Sequence, residues 1–253
     1  MARIISIANQ KGGVGKTTTS VNLAASLAAL ERKTLLIDVD PQGNTTSGLG
    51  IEADLLENTV YEALIGEISL RDAIVDTEIA FLNVVPSNIR LSGAQIELVS
   101  MIARERKLQV ALEGLDAEYD YILIDCPPSL GILTLNALTA AKSVLIPIQC
   151  EYYALEGVGQ LLNTIRLVQK NINPNLEIEG ILLTMFDSRL NLSRQILEEV
   201  RSYFDDRVYN TVISRNVKLS EAPSFGKPIL LYDILSTGAK AYIQLAKEVD
   251  NHA

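Results

Sequence analysis

The chain has 253 residues, 48% hydrophobic and 21% charged, the composition of a globular protein with a substantial core. A net charge of −9 excludes a protein coated in basic surface, so any nucleic-acid contact must come from a local patch or from one that assembly creates. The two cysteines, Cys126 and Cys150, and the single histidine, His252, offer no zinc-ligand spacing and no histidine base. Free thiols in a reducing cytoplasm are expected. A strand is expected almost at the N-terminus, leaving no room for a signal peptide, and no apolar run approaches the roughly 18 residues of a membrane span.

The first element is an apolar strand over residues 4–8. NQKGGVGKTTT follows at residues 9–19 and runs into a helical pattern from residue 20. Strand, glycine-rich turn and helix form the context of a phosphate-binding loop. Gly12, Gly13 and Gly15 permit a backbone path that turns successive N–H groups, Val14 included, onto an anion. The helix beginning near Lys16 adds its positive dipole end. Lys16 is expected to reach the β- and γ-phosphates and Thr17 to offer its hydroxyl to Mg²⁺, with Thr18 counted among the nucleotide-binding residues. The general G-x-x-x-x-G-K-[ST] pattern would want glycine at position 10, where this chain has Gln10. Instead it carries a second lysine, Lys11, at the loop entrance, where it is poorly placed to touch phosphates held by its own loop. The plainer alternative for Lys11 is a solvated surface lysine.

Further strands are expected over 34–38, 82–86, 121–125, 143–148, 178–186 and 208–213. Amphipathic helices are expected over 91–114 with a break, 131–141, 154–171, 191–204 and 237–250. This alternation implies an α/β fold: a doubly wound, mostly parallel sheet with helices on both faces, in a single domain spanning 1–253. Ligands in such folds sit at the carboxyl ends of the strands.

Asp125 ends an apolar strand, as a Walker B carboxylate does, and would hold Mg²⁺ opposite Thr17. The turn Cys126-Pro127-Pro128-Ser129 behind it is stiffened by two prolines and suits a switch segment. The second strand ends in Asp38-Val39-Asp40-Pro41, and period two places Asp38 and Asp40 on one side. One carboxylate can support the metal shell while the other orients an attacking water. Capping of the turn before Pro41 is the plainer role for Asp40.

The motifs KGGVGKTT, DVDPQGN, YILIDCPPSLG, EYYALEG at 151–157 and RNVKLSEAPS at 215–224 resemble the ParA/Soj family of deviant Walker A ATPases (the ParA/MinD group) over nearly the whole chain. The resemblance implies a Mg²⁺-dependent ATP hydrolase that forms an ATP-sandwich homodimer. Such a dimer binds DNA without sequence preference, sits on the nucleoid and is stimulated by a ParB-type centromere-binding protein. It implies that Lys11 crosses to the partner's phosphates, that Asp40 orients the water and that Asn216 borders the adenine pocket. Two departures are Ser214, where the family has proline before Arg-Asn, and Lys218 in place of the commoner arginine, which keeps charge but loses the fork geometry.

Residues 189–227 mix Arg189, Arg194, Arg201, Arg207, Arg215, Lys218 and Lys227 with five acids, which alone reads as a solvated surface. The resemblance implies DNA-phosphate contacts there, assigned to Arg189, Arg215 and Lys218, with Arg194 in the same stretch. A MinD-like membrane ATPase is the alternative. The short C-terminal helix carries acids at its end and lacks the cationic face of an interfacial helix, so no membrane partner is expected. A metabolic ligase or iron–sulfur reductase on the same scaffold would need chemistry, such as paired cysteines at a dimer axis, that the sequence does not display.

Overall fold

The computed structural model describes residues 1–151 and 156–251. Residues 152–155 of the EYYALEG segment, and His252, lie outside them. Seven strands form one sheet in the order β3-β4-β2-β5-β1-β6-β7. They are β1 (Arg3–Ile7), β2 (Thr34–Asp38), β3 (Val75–Asp76), β4 (Leu82–Val85), β5 (Tyr121–Asp125), β6 (Ser143–Gln149) and β7 (Glu177–Thr184). All pairings are parallel except β3 with β4.

The sequence pattern explains the layers. Along β2, Leu35 and Ile37 enter one apolar cluster and Leu36 the other; along β5, Ile122 and Ile124 separate from Tyr121 and Leu123 in the same way. Period two thus sends alternate residues to opposite faces, and both faces are apolar because both are covered by helices. Helix α1 (Lys16–Ala29) and the C-terminal helix Thr237–Asn251 pack on one face, through Leu23, Leu27, Tyr242, Leu245 and Val249. Helices Ile132–Ala140 and Glu156–Asn171 cover the other through Leu133, Ala137, Leu161 and Ile165.

The expected helix over 91–114 is broken into Leu91–Glu97, two short 3₁₀ turns and Lys107–Ala111. Ala103 marks the break with a φ of 52°, in the left-handed region. Short helices Asn44–Gly48 and Val60–Ile65 and the strand β3 lie outside the expected elements, although a capping box of Thr59 and Glu62 opens the second helix.

The expected strand over 208–213 does not form. Two isolated bridges, Ile181 with Val208 and Phe186 with Ser214, and the hydrogen bonds of the Tyr209 and Ile213 N–H groups to the Ile181 and Leu183 carbonyls at 3.0 and 2.8 Å join this segment to β7 and the residues after it without making a continuous ladder. The physical reason is a competing acceptor. Asn210 and Thr211 donate their N–H groups at 2.6 and 3.0 Å to the carboxylate of Glu248, on the C-terminal helix, rather than to a ladder. Gly180 supports this course, since a Cβ there would lie 2.5 Å from the Tyr209 ring. Glu248→Ala leaves both N–H groups without their charged acceptor and should destabilise the fold by about 1–3 kcal/mol. Chemical denaturation would show it as a lower midpoint; an unchanged midpoint would mean the segment is held otherwise.

Candidate active site

The register of the sheet builds the site. Ile7 at the end of β1 and Asp38 at the end of β2 both lie level with Asp125 at the end of β5. Three strands therefore deliver their following loops to one point, as the position of the switch in strand order requires.

The loop after β1 turns on Gly13 and Gly15, with φ of 76° and 86°, conformations that glycine adopts without steric cost. Gly15 is the N-cap of α1, so the helix's unpaired N–H groups open directly onto the loop. Asn9 and Thr184 brace the loop from behind: Asn9 Nδ2 donates to the Pro147 carbonyl at 2.7 Å, and Thr184 Oγ1 to the Val14 carbonyl at 2.8 Å. Lys16 is buried, and its ammonium donates to the Lys11 carbonyl across the loop at 3.1 Å. Burial pulls its pKa below the ordinary lysine value, against the opposing charge of Asp125.

Asp125 is fully buried and takes three hydroxyl donors: Thr17 at 2.9 Å, Ser20 at 2.7 Å and Thr45 at 2.7 Å. Burial raises its pKa, and these donors and Lys16 act against that rise. Asp38, also fully buried, accepts from the Asp40 and Thr46 N–H groups and from the Thr46 hydroxyl. Burial and the neighbouring charge of Asp125 push its pKa up to about 8. A hydroxyl and a carboxylate facing each other are the hard oxygen donors that Mg²⁺ accepts when a nucleotide supplies further oxygens. Thr17 and Asp125 fit that role, and Mg²⁺ held by them would supply charge neutralisation for bound phosphate.

A cavity of about 250 Å³ is lined by Gly12, Gly13, Gly15, Lys16, Thr17 and Thr18 of the loop, with Asp40, Asn44, Pro128 and Met185 opposite. It adjoins a second cavity of about 390 Å³, with Gly15, Thr18 and Met185 in both walls. Arg215, Asn216, Leu219, Pro223 and Tyr242 line that larger, less polar chamber, which suits a nucleoside beside the phosphates. Asn216 lines this chamber, and its amide is engaged: Oδ1 caps the helix Val217–Glu221 through the Lys218 N–H at 2.9 Å, and Nδ2 donates to Thr237 at 2.8 Å.

Lys11 is not in the phosphate cavity wall. Its ammonium lies 3.0 Å from Glu151 Oε2, at the mouth of the site. Arg189 is exposed and forked onto Asp187 through Nε and Nη2 at 2.9 and 2.6 Å, which holds the Asp187 carboxyl down at about 2. Arg194 donates to the Ser188 carbonyl. Lys218 pairs with Glu221 at 3.2 Å and lies over the Tyr232 ring. Two of the three cations assigned to DNA therefore hold intramolecular carboxylates that a phosphate would have to displace, and Arg215 borders the nucleoside chamber.

Ser20, Thr45, Thr184 and Met185 are site residues that sequence reasoning missed. Ser20 was findable, since it lies three residues after Thr17 on the same face of α1. Thr45 arrives from the short helix Asn44–Gly48 and Thr184 from the end of β7, and nothing local marks either as a partner of this site.

Glycine-turned loop, buried lysine, hydroxyl–carboxylate pair and adjoining nucleoside chamber define a P-loop ATPase that works with ATP and Mg²⁺. Family comparison agrees: an AAA domain model matches residues 2–178. The sporulation initiation inhibitor protein Soj of Bacillus subtilis is 62% identical over 249 residues, covering 98% of both chains. The chromosome partitioning protein ParA of Myxococcus xanthus is 60% identical, covering 98% of this chain and 88% of that one. Among solved structures, cobyrinic acid a,c-diamide synthase of Mycobacterium smegmatis, bound to ADP and magnesium, is 41% identical with a TM-score of 0.88, covering 100% of this chain and 95% of that one. The septum site-determining protein MinD of Pyrococcus horikoshii, complexed with Mg-ADP, is 29% identical with a TM-score of 0.82, covering 100% and 97%. The chain belongs to the Soj/ParA family of chromosome-partitioning ATPases.

The raised pKa of Asp38 has a consequence for the nucleotide-free protein. An unfolded Asp38 releases its proton near 3.8, whereas the folded one holds it up to about 8. Across that window the folded state binds more protons, so this group's contribution to stability falls as pH rises. Melting temperature should decline between about pH 5 and pH 9, and less steeply in Asp38→Asn. Equal slopes would show that Asp38 is ionised throughout.

Proposed function

We propose that the chain is a nucleotide-switched partitioning ATPase whose ATP-bound form is a sandwich homodimer that binds non-specific DNA. Hydrolysis, stimulated by a ParB-type centromere-binding protein, releases it. The observation that carries this reading is Lys11: it stands at the mouth of a loop whose own phosphate cavity it does not line, with its ammonium held outward by an exposed carboxylate. An exposed pair of that kind is worth little, so it yields readily to a stronger anion. A second subunit's phosphates are the anion that the resemblance suggests.

In this scheme Lys16 and the loop N–H groups bind the phosphates, and Thr17 and Asp125 hold the metal. Asp40, in the opposite wall of the cavity, orients the water. No arginine lines the phosphate cavity among the described residues, which suits slow unassisted turnover and acceleration by a partner. Pairing two copies doubles the Arg189, Arg215 and Lys218 patch despite the net charge of −9, and makes DNA affinity salt-sensitive.

The membrane alternative is disfavoured by the C-terminal helix, whose apolar residues Tyr242, Leu245, Ala246 and Val249 are buried in the core. Among the described residues no helix is long and apolar enough to cross a membrane. An iron–sulfur reductase is disfavoured because Cys126 and Cys150 are both buried.

Lys16→Ala should abolish ATP binding, whereas Lys11→Ala should keep ATP affinity within about twofold and lose the ATP-dependent dimer in sedimentation velocity. Equal loss of ATP affinity in both would contradict a role in trans. Asp40→Ala should bind ATP and remain dimeric without turnover.

A further inference from the structure

The segment after β2 that carries Asp40 is anchored from a neighbouring strand. That anchor is β4. The loop after β4 begins Pro86-Ser87-Asn88, and Ser87 is almost fully buried. Its hydroxyl donates to the Asp40 carbonyl at 2.8 Å, and its backbone N–H donates to Thr46 Oγ1 at 2.9 Å. Thr46 Oγ1 in turn donates to Asp38 Oδ2 at 2.8 Å, and Asp38 Oδ1 accepts the Asp40 N–H at 3.1 Å. Followed round, these bonds close on themselves: Asp40 carbonyl, Ser87, Thr46, Asp38 and back to the Asp40 N–H. The close approach is made possible by Gly43, where a Cβ would lie 2.8 Å from the Ser87 carbonyl and φ is 61°.

We propose that Ser87 and Thr46 are positioning residues for ATP hydrolysis, because the ring they close through Asp38 fixes the backbone of Asp40 at both its N–H and its carbonyl. The inference rests on the reading of Asp40 as the group that orients water. Fixing one peptide unit at both ends sets the direction in which its Cβ leaves the chain. The carboxylate is then trimmed by the Gln42 N–H, which donates to Asp40 Oδ1 at 3.0 Å. Every member of the ring is buried, so its bonds do not compete with bulk water and losing one leaves a partner unsatisfied. Neither Ser87 nor Thr46 lines the phosphate cavity, so loss of their hydroxyls should leave ATP binding intact. A misplacement near 1 Å at the reacting group is enough to cost on the order of 10²-fold in rate.

The test is steady-state ATP hydrolysis by the full chain, with kcat and KM separated, for Ser87→Ala, Thr46→Val, Thr46→Ser and Asp40→Ala. Ser87→Ala removes the donor to the Asp40 carbonyl. Thr46→Val keeps shape and removes the hydroxyl, whereas Thr46→Ser keeps the hydroxyl. Ser87→Ala and Thr46→Val should each lose about tenfold or more in kcat with KM for ATP within about twofold, and Thr46→Ser should stay near the parent. Parent-like kcat in Ser87→Ala and Thr46→Val beside an inactive Asp40→Ala would overturn the positioning role and leave Asp40's role standing. Normal turnover in Asp40→Ala would overturn the reading of Asp40 itself, and the positioning role with it. Equal losses in Thr46→Ser and Thr46→Val would also overturn the proposal, since packing rather than the hydroxyl would then matter. Should Ser87→Ala not fold, the Thr46 pair decides the question alone.

Discussion

The site is organised around one buried carboxylate. Asp125 gathers hydroxyls from the phosphate loop's helix (Thr17 and Ser20) and from the loop after β2 (Thr45), although these residues lie far apart in the chain. A desolvated carboxylate is costly unless it is hydrogen-bonded, so these donors are obligatory partners rather than decoration. The consequence is mechanical as well as electrostatic. The loop that binds phosphate and the loop that carries Asp40 are tied to the same two oxygen atoms, so a change at one is felt at the other.

Charge explains why such a site waits for its substrate. Asp38 and Asp125 are buried side by side, and the low-dielectric surroundings raise the pKa of both while pulling that of Lys16 down. Bound Mg²⁺ would favour the ionised carboxylates and bound phosphates the charged lysine, each acting against the effect of burial. The outward cations, Lys11, Arg189 and Lys218, are held differently: each rests on an acid at the surface, where the pairing is weak and exchangeable.

Much of this was legible from sequence. The glycine loop, Lys16, Thr17 and Asp125 announce themselves because short-range patterns, a strand then glycines then a helix, or four apolar residues then an acid, encode them locally. The continuous apolar run Leu35-Leu36-Ile37 is what a strand covered on both faces requires. What local pattern could not carry was choice among partners at long range. Residues 208–213 have a strand's composition, yet Glu248 from the C-terminal helix captures two of their N–H groups. Asn216 reads as a base contact and lies in the expected wall, yet its amide is already spent on a helix cap and Thr237. The Ser87–Thr46–Asp38–Asp40 ring joins two loops 47 residues apart and has no signature in either.

The proposed switch requires that triphosphate, and not nucleotide in general, makes the DNA-binding form. Binding to non-specific duplex DNA should be measured with ATP, ADP or no nucleotide, at low and moderate salt. Binding is expected with ATP alone, falling steeply as salt rises. Equal binding in all three states, or none in any, would contradict it.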